Sequence, residues 1–329
     1  MSRCRKTELR LIKEITGKMN HILPFDEFEF VPLENADLTE STENASVLPE
    51  EKVSSYEVKL LLDSDKTLGE DHRLKEEIRQ AFHMKEMPNS YLVAYMETPD
   101  KDFLSVGWIN RVRARTGREK IRLTYKKRFP IQNGDIDAAL SAAAAEGLTK
   151  DDAQFPTEID WGYEKMTLSF SHNVDLSEET AANELPEKHA AMDMIAANMP
   201  AIENAGTICA DCSDRSTGSE AEANGPAADP AGERQEWGIE TLQKAQMVGP
   251  VSFLRYTGKM KNGGLAHVEI WPIADGTQTQ YIVEISAKFK RFADAERMRR
   301  KAISRLDKMG ILLHTDALKT QMILNGPTL

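Results

Sequence analysis

A chain of 329 residues with 40% hydrophobic content can bury a real core, either as one large β-rich domain with additions or as two ordinary domains. Its formal net charge of −11 excludes a general nucleic-acid binder, whose footprint should be basic, and no apolar run is long enough to cross a bilayer. Three cysteines make no disulfide framework and the N-terminal MSRCRKTELR lacks a signal peptide's apolar segment, so a cytoplasmic (intracellular) protein is expected.

Leu9, Leu11, Ile12, Ile15 and Met19 recur at near-helical spacing, which predicts an amphipathic helix over residues 3–20. From 27 to 52 the chain is acidic and without periodicity, and it reads as a linker. Residues 53–62 alternate as a strand, with Ser55, Glu57 and Lys59 on one face and Tyr56, Val58 and Leu60 on the other. Two charges on one strand face are costly to bury unless they pair or bind something. A helix over 71–84, with Leu74, Ile78 and Phe82 at spacing four, precedes an apolar, aromatic strand over 90–97.

The stretch 107–128, GWINRVRARTGREKIRLTYKKR, reads as a hairpin. Arg111, Arg113 and Arg115 share one strand face, and Thr116-Gly117-Arg118 supplies the turn, with Gly117 free to take a positive φ. The return strand places Arg122, Thr124 and Lys126 on one face and Leu123, Tyr125 and Lys127 on the other. Such a cationic face suits a polyphosphate, which guanidinium groups grip bidentately. It equally suits a solvated, lysine-rich edge.

An alanine-rich helix follows over 134–149, started by Asp135 or Asp137 and stopped by Gly147. Residues 157–171 hold two strand patterns. Glu158 and Asp160 alternate in the first, and Thr167, Ser169 and Ser171 alternate with Leu168 and Phe170 in the second. Residues 176–199 are helix-prone, and 203–237 then lose apolar content and read as a disordered insertion. Its Cys209 and Cys212 form a C-x-x-C without nearby zinc ligands or a strand–helix junction, so they are incidental. Strand patterns resume at 250–258 with Arg255, at 264–273 with Glu269 and at 279–288 with Glu284, Ser286 and Lys288 on one face. A helix over 294–309 presents Met298, Ala302, Ile303, Leu306 and Met309 and stops at Gly310, before a short closing helix or strand over 315–324.

Several strands therefore put ionisable groups on one face. In an open sandwich these would be solvated residues, whereas a closed barrel can enclose them around water or a ligand. Cations there would hold phosphates, and carboxylates would hold a divalent metal.

The R-V-R at 111–113, the L-T-Y-K ending at Lys126, and the V-E-I strand at Glu284 before a helix closing Leu-x-x-x-Gly-Ile resemble the CYTH superfamily, the triphosphate tunnel enzymes. The resemblance implies an α+β fold, an antiparallel eight-stranded β-barrel forming a triphosphate tunnel with surrounding helices. That domain would span 53–324, interrupted at 203–237, after an N-terminal helix and acidic linker over 1–52. It implies a metal-dependent hydrolase acting on acid anhydrides, cleaving inorganic triphosphate or an organic triphosphate or polyphosphate ester with Mg²⁺ or Mn²⁺. The partner would be a small phosphorylated substrate, with no nucleic-acid duplex and no membrane. Lys59, Arg111, Arg113, Lys126 and Arg255 would hold phosphates, and Glu57, Glu269 and Glu284 the metal. Glu57, Lys59 and Glu284 would be catalytic, and Glu158 and Asp160 would add acidity to the lumen.

Two departures accompany the likeness. The opening Glu-x-Glu-x-Lys begins with Ser55 here, and the closing Glu-x-Glu ends with Ser286. A serine hydroxyl can hold a metal-bound water but brings no charge, so metal affinity should fall. These departures favour an alternative, a non-hydrolytic module binding polyphosphate or a phosphometabolite. A divergent tunnel enzyme acting on a diphosphate or nucleotide is a third reading.

Overall fold

The period-two alternation from residue 55 onward becomes the wall of a closed β-barrel. The computed structural model describes residues 51–118, 120–177, 184–200, 232–260, 264–275, 278–317 and 319–325. The expected N-terminal helix, most of the acidic linker, residues 203–231 of the expected insertion and the C-x-x-C lie outside the described residues.

The strands are β1 (Ser55–Leu62), β2 (Asn89–Glu97), β3 (Trp108–Arg115), β4 (Ile121–Ile131), β5 (Thr157–Trp161), β6 (Met166–Leu176), β7 (Gln246–Lys259), β8 (Leu265–Asp275) and β9 (Gln278–Phe289). Around the barrel they run β1-β5-β6-β4-β3-β2-β7-β8-β9, and β9 returns antiparallel to β1. The expected α+β barrel with surrounding helices is present, with nine strands in place of eight and one junction that is not antiparallel. A ring with an odd number of strands cannot alternate direction throughout, so one junction must be parallel. That junction is β1–β5, which sets Ser55 opposite Glu158 and Glu57 opposite Asp160.

The hairpin turns at Gly117, whose φ of +75° is open to glycine without strain. Gly107 opens it, at φ +81°, where a Cβ would lie 2.9 Å from the Arg128 carbonyl oxygen. Eight helices are described: α1 (Ser64–Thr67), α2 (Glu76–Ala81), α3 (Asp102–Ser105), α4 (Ile136–Ala145), α5 (Lys188–Ala197), α6 (Gly232–Lys244), α7 (Phe292–Lys308) and α8 (Lys319–Asn325). Asp135 caps α4, its carboxylate accepting from the Ala138 N–H at 3.0 Å. The helix expected over 71–84 shortens to α2, and the chain turns out of it through His83 at φ +49°. Of the region expected helical over 176–199, residues 188–197 form α5, whereas residue 176 belongs to β6 and pairs with β4. Residues 232–237, expected in the insertion, begin α6, and the ambiguous tail is the helix α8.

Even-numbered positions of β1 (Tyr56, Val58, Leu60) face outward into a core beneath the helices, where α7 packs Met298 and Leu306. A second apolar cluster has the opposite parity: Leu61, Tyr95, Ile109, Phe253, Trp271 and Ile282, joined by Ile323 and Leu324 of α8. It fills one end of the barrel interior. The inward-facing positions beyond it are polar and charged. No described helix is long and apolar enough to cross a membrane.

Candidate functional site

Strand parity brings the charged faces together. A cavity of about 450 Å³ inside the barrel is lined by Glu57 and Lys59 of β1, Arg111 and Arg113 of β3, Lys126 of β4, Glu158 of β5, Arg255 of β7, Glu269 of β8 and Glu284 of β9. Asp160 lines a smaller recess of about 170 Å³ that shares Lys59, Arg128, Glu284 and Lys319 with it. Every candidate site residue from the sequence thus lies at the barrel interior. Nine lysines and arginines line the larger cavity against four carboxylates, in a chain whose overall charge is −11.

The charges form three groups. In the first, Lys59 Nζ lies 2.7 Å from Asp160 Oδ1 and 3.1 Å from Glu57 Oε2, and Lys126 Nζ reaches Asp160 Oδ2 at 3.0 Å. Glu158 accepts from Lys288 and, at 3.1 Å, from the Ser55 hydroxyl. Burial acts to raise the Glu57 carboxyl, but Lys59 and Lys288 outweigh it and hold the group below the usual carboxylate range. Asp160 lies well below that range, because Lys126 and Lys59 together overcome its burial.

In the second group Glu269 and Glu284 face each other across β8 and β9. Lys319 Nζ of α8 lies between them, 2.6 Å from Glu269 Oε2 and 2.8 Å from Glu284 Oε1. Arg255 Nε adds a bond to Glu269 Oε1 at 2.8 Å, and the Trp271 indole N–H donates to Oε2 at 2.9 Å.

The third group is the hairpin wall, and it is not neutralised. Among the described residues neither Arg111 nor Arg113 has a carboxylate partner. Arg111 donates to the Thr124 hydroxyl at 3.2 Å, while its Nε and that of Arg128 are buried without a hydrogen-bond partner. Burial, reinforced by Arg111 and Arg255, pushes the Arg113 guanidinium down to about 9, and burial likewise lowers Arg111 and Lys126. Arg113 and Arg255 both lie over the Tyr91 ring, 5.4 and 5.0 Å from its centroid, which offsets part of the cost. Buried cations in this state attract an anion able to accept several hydrogen bonds.

The expected metal trio does not assemble. Glu269 and Glu284 are closed by Lys319, whereas Glu57 turns toward β5. The group among the described residues whose oxygens lie within 4.8 Å of one another, as a metal requires, is Glu57, Glu158 and Asp160. Its all-carboxylate donor set fits a hard divalent ion.

No family model matches the chain, and no curated protein matches it. The fold is similar to solved structures at low identity. A Hippeastrum protein, provisionally assigned as an adenylyl cyclase and described as having a dominant triphosphatase activity, is 15% identical over 82% of this chain and 94% of its own, at TM-score 0.44. A Bacillus halodurans protein provisionally assigned as an adenylate cyclase is 12% identical over 82% and 97%, at TM-score 0.42. A similar assignment from Vibrio parahaemolyticus is 8% identical over 83% and 99%, at TM-score 0.37.

Sequence reasoning missed Arg128, His267 and Lys319, and it left Arg122 and Lys288 on their strand faces without a role. Four of these were findable by parity. Arg122 and Arg128 share the face of Lys126, His267 that of Glu269, and Lys288 that of Glu284. Lys319 had no such signal, since only the packing of α8 brings it inside.

Proposed function

We propose that this chain is a divergent member of the CYTH superfamily that hydrolyses a triphosphate, inorganic or organic, inside its barrel. The observation that carries the reading is the hairpin wall: Arg111 and Arg113 are half-buried and, among the described residues, without carboxylate partners, so a polyphosphate would supply their counter-charge. Arg111 and Arg113 grip the terminal phosphate in this reading, and Arg255 stands on the same side of the cavity. Lys126 adds a point charge, and Lys59 neutralises charge on the leaving group. Glu57, kept ionised by its lysines, is the acceptor that orients the attacking water. Glu284 is bound by Lys319 and is less suited to that task. Glu57, Glu158 and Asp160 would hold Mg²⁺ or Mn²⁺, which when bound would offset charge on the phosphate oxygens.

One observation favours the non-hydrolytic alternative. Each of these five interior carboxylates already has a lysine or arginine partner: Lys59 on Glu57 and Asp160, Lys288 on Glu158, and Lys319 on Glu269 and Glu284. Phosphate release from inorganic triphosphate, ATP and thiamine triphosphate, each with Mg²⁺, Mn²⁺ or EDTA, decides between them. Metal-dependent turnover lost in Arg113→Ala supports the hydrolase. Absence of turnover, with triphosphate still raising Tm, supports the binding module. An organic product other than the hydrolysed ester would point to the third reading.

A further inference from the structure

Glu269 and Glu284 are direct cross-strand neighbours, buried to 7% and 6% exposure. Two carboxylates so placed repel unless a cation lies between them. The cation is supplied by the chain itself. Lys319 stands near the start of α8, its ammonium bonded to both carboxylates and 4.9 Å from the Trp271 ring centroid. The helix carrying it is anchored further along, where Ile323 and Leu324 enter the apolar end of the barrel and Lys101 donates to the Leu324 carbonyl.

We infer that Lys319 is a tethered substitute for a divalent ion: its ammonium fills the Glu269–Glu284 pair and excludes metal from that end of the barrel. The geometry requires this competition. Three of the four oxygens of the pair are already occupied, Glu269 Oε1 by Arg255, Glu269 Oε2 by Trp271 and Lys319, and Glu284 Oε1 by Lys319. A divalent ion on the pair would face the ammonium at contact distance, and like charges there are costly in a low-dielectric interior. The inference deepens the proposed function, since it states which carboxylates of a tunnel hydrolase of this sequence are closed to metal, and it rests on that reading for the metal's relevance only.

Mn²⁺ binding to the full chain, followed by electron paramagnetic resonance, tests it. Lys319→Met keeps most of the stem and removes the charge, and it is expected to bind one Mn²⁺ more than the native chain. Adding Glu284→Gln to that variant should abolish the gain, and Lys319→Arg should show none. Glu284→Gln in the otherwise native chain should leave Mn²⁺ stoichiometry unchanged, which keeps the test decisive should Lys319→Met fail to fold. A folded Lys319→Met chain with native stoichiometry, or loss of a bound ion in Glu284→Gln, overturns the inference. The rise in Tm on adding triphosphate is read beside these titrations. Its absence would sink the phosphate reading alone, with the Mn²⁺ result still standing for Lys319.

Discussion

Lys59 and Asp160 meet at 2.7 Å across the one parallel junction of the barrel, and Lys126 reaches the second oxygen of the same carboxylate at 3.0 Å. One acid thus pairs with two half-buried lysines, Lys59 from the adjacent β1 and Lys126 from β4 beyond β6. Asp160→Asn leaves both ammonium groups without it, the situation in which breaking a buried pair costs about 3–5 kcal/mol. Residual exposure of Lys59 and Asp160 places the expected loss near the lower end. The Asp160 carboxyl is depressed in the folded state, so its stabilisation is present above the ordinary value of 3.8 and declines as pH falls below it. Urea unfolding should show a gap between native and Asp160→Asn chains at pH 7 that narrows in acid. A gap independent of pH would mean the loss is one of packing.

Arg113 yields a second expectation. Its removal should weaken triphosphate binding by about 1.5–3 kcal/mol, the range for a hydrogen bond to a charged group. Burial pushes the guanidinium down to about 9, and a bound anion favours its charged form and raises that value. Affinity should hold below about 9 and fall as pH rises through it, whereas an exposed arginine would hold beyond 12. Calorimetry across this range, on native and Arg113→Ala chains, checks both parts. An affinity unchanged in Arg113→Ala would place Arg113 outside the phosphate contacts.

Glu97 is a buried carboxylate held by backbone donors. It accepts from the backbone N–H groups of Thr98, Phe103 and Leu104 and so holds the start of α3. Burial outweighs these bonds and pushes its carboxyl up to about 6. The folded state therefore binds its proton more tightly than the unfolded chain, and stability falls as pH rises from about 4.5 to 6. The shift corresponds to about 2 kcal/mol at 1.36 kcal/mol per pH unit. Glu97→Gln keeps an acceptor and removes the ionisation, so the slope in that window should flatten. An unchanged slope would assign it to another group.

Much of the barrel is legible in the amino-acid sequence. Each of the nine strands had its own strand pattern, that over 90–97 by apolar, aromatic content, and parity put Glu57, Lys59, Arg111, Arg113, Lys126 and Glu284 on the charged faces of their strands. The resemblance, not the patterns, led to eight strands. What alternation could not give is which strand sits beside which. Pairing β1 with β5 takes Glu57 to Asp160 rather than to Glu269, and this regroups the carboxylates. Nor could it give Lys319, whose place depends on a seven-residue helix folding back into the barrel end. Non-local register and tertiary docking have no period in the sequence.

Ser286 provides the last expectation. It lies opposite Lys59 across β1–β9 and opposite His267 across β8–β9, 7% exposed, on the cavity wall two residues beyond Glu284. A carboxylate there would face the cavity on the same strand face as Lys288, which already pairs with Glu158 and lies 3.9 Å from Glu57. Ser286→Glu should draw Lys59 or Lys288 away from the acidic cluster and add an oxygen donor near it, both of which strengthen divalent binding. Mn²⁺ titration should show tighter binding at the existing site, and phosphate release should become more strongly metal-dependent. A folded variant with an unchanged Mn²⁺ curve would mean that lysine pairing, rather than the missing carboxylate, limits metal affinity in this barrel.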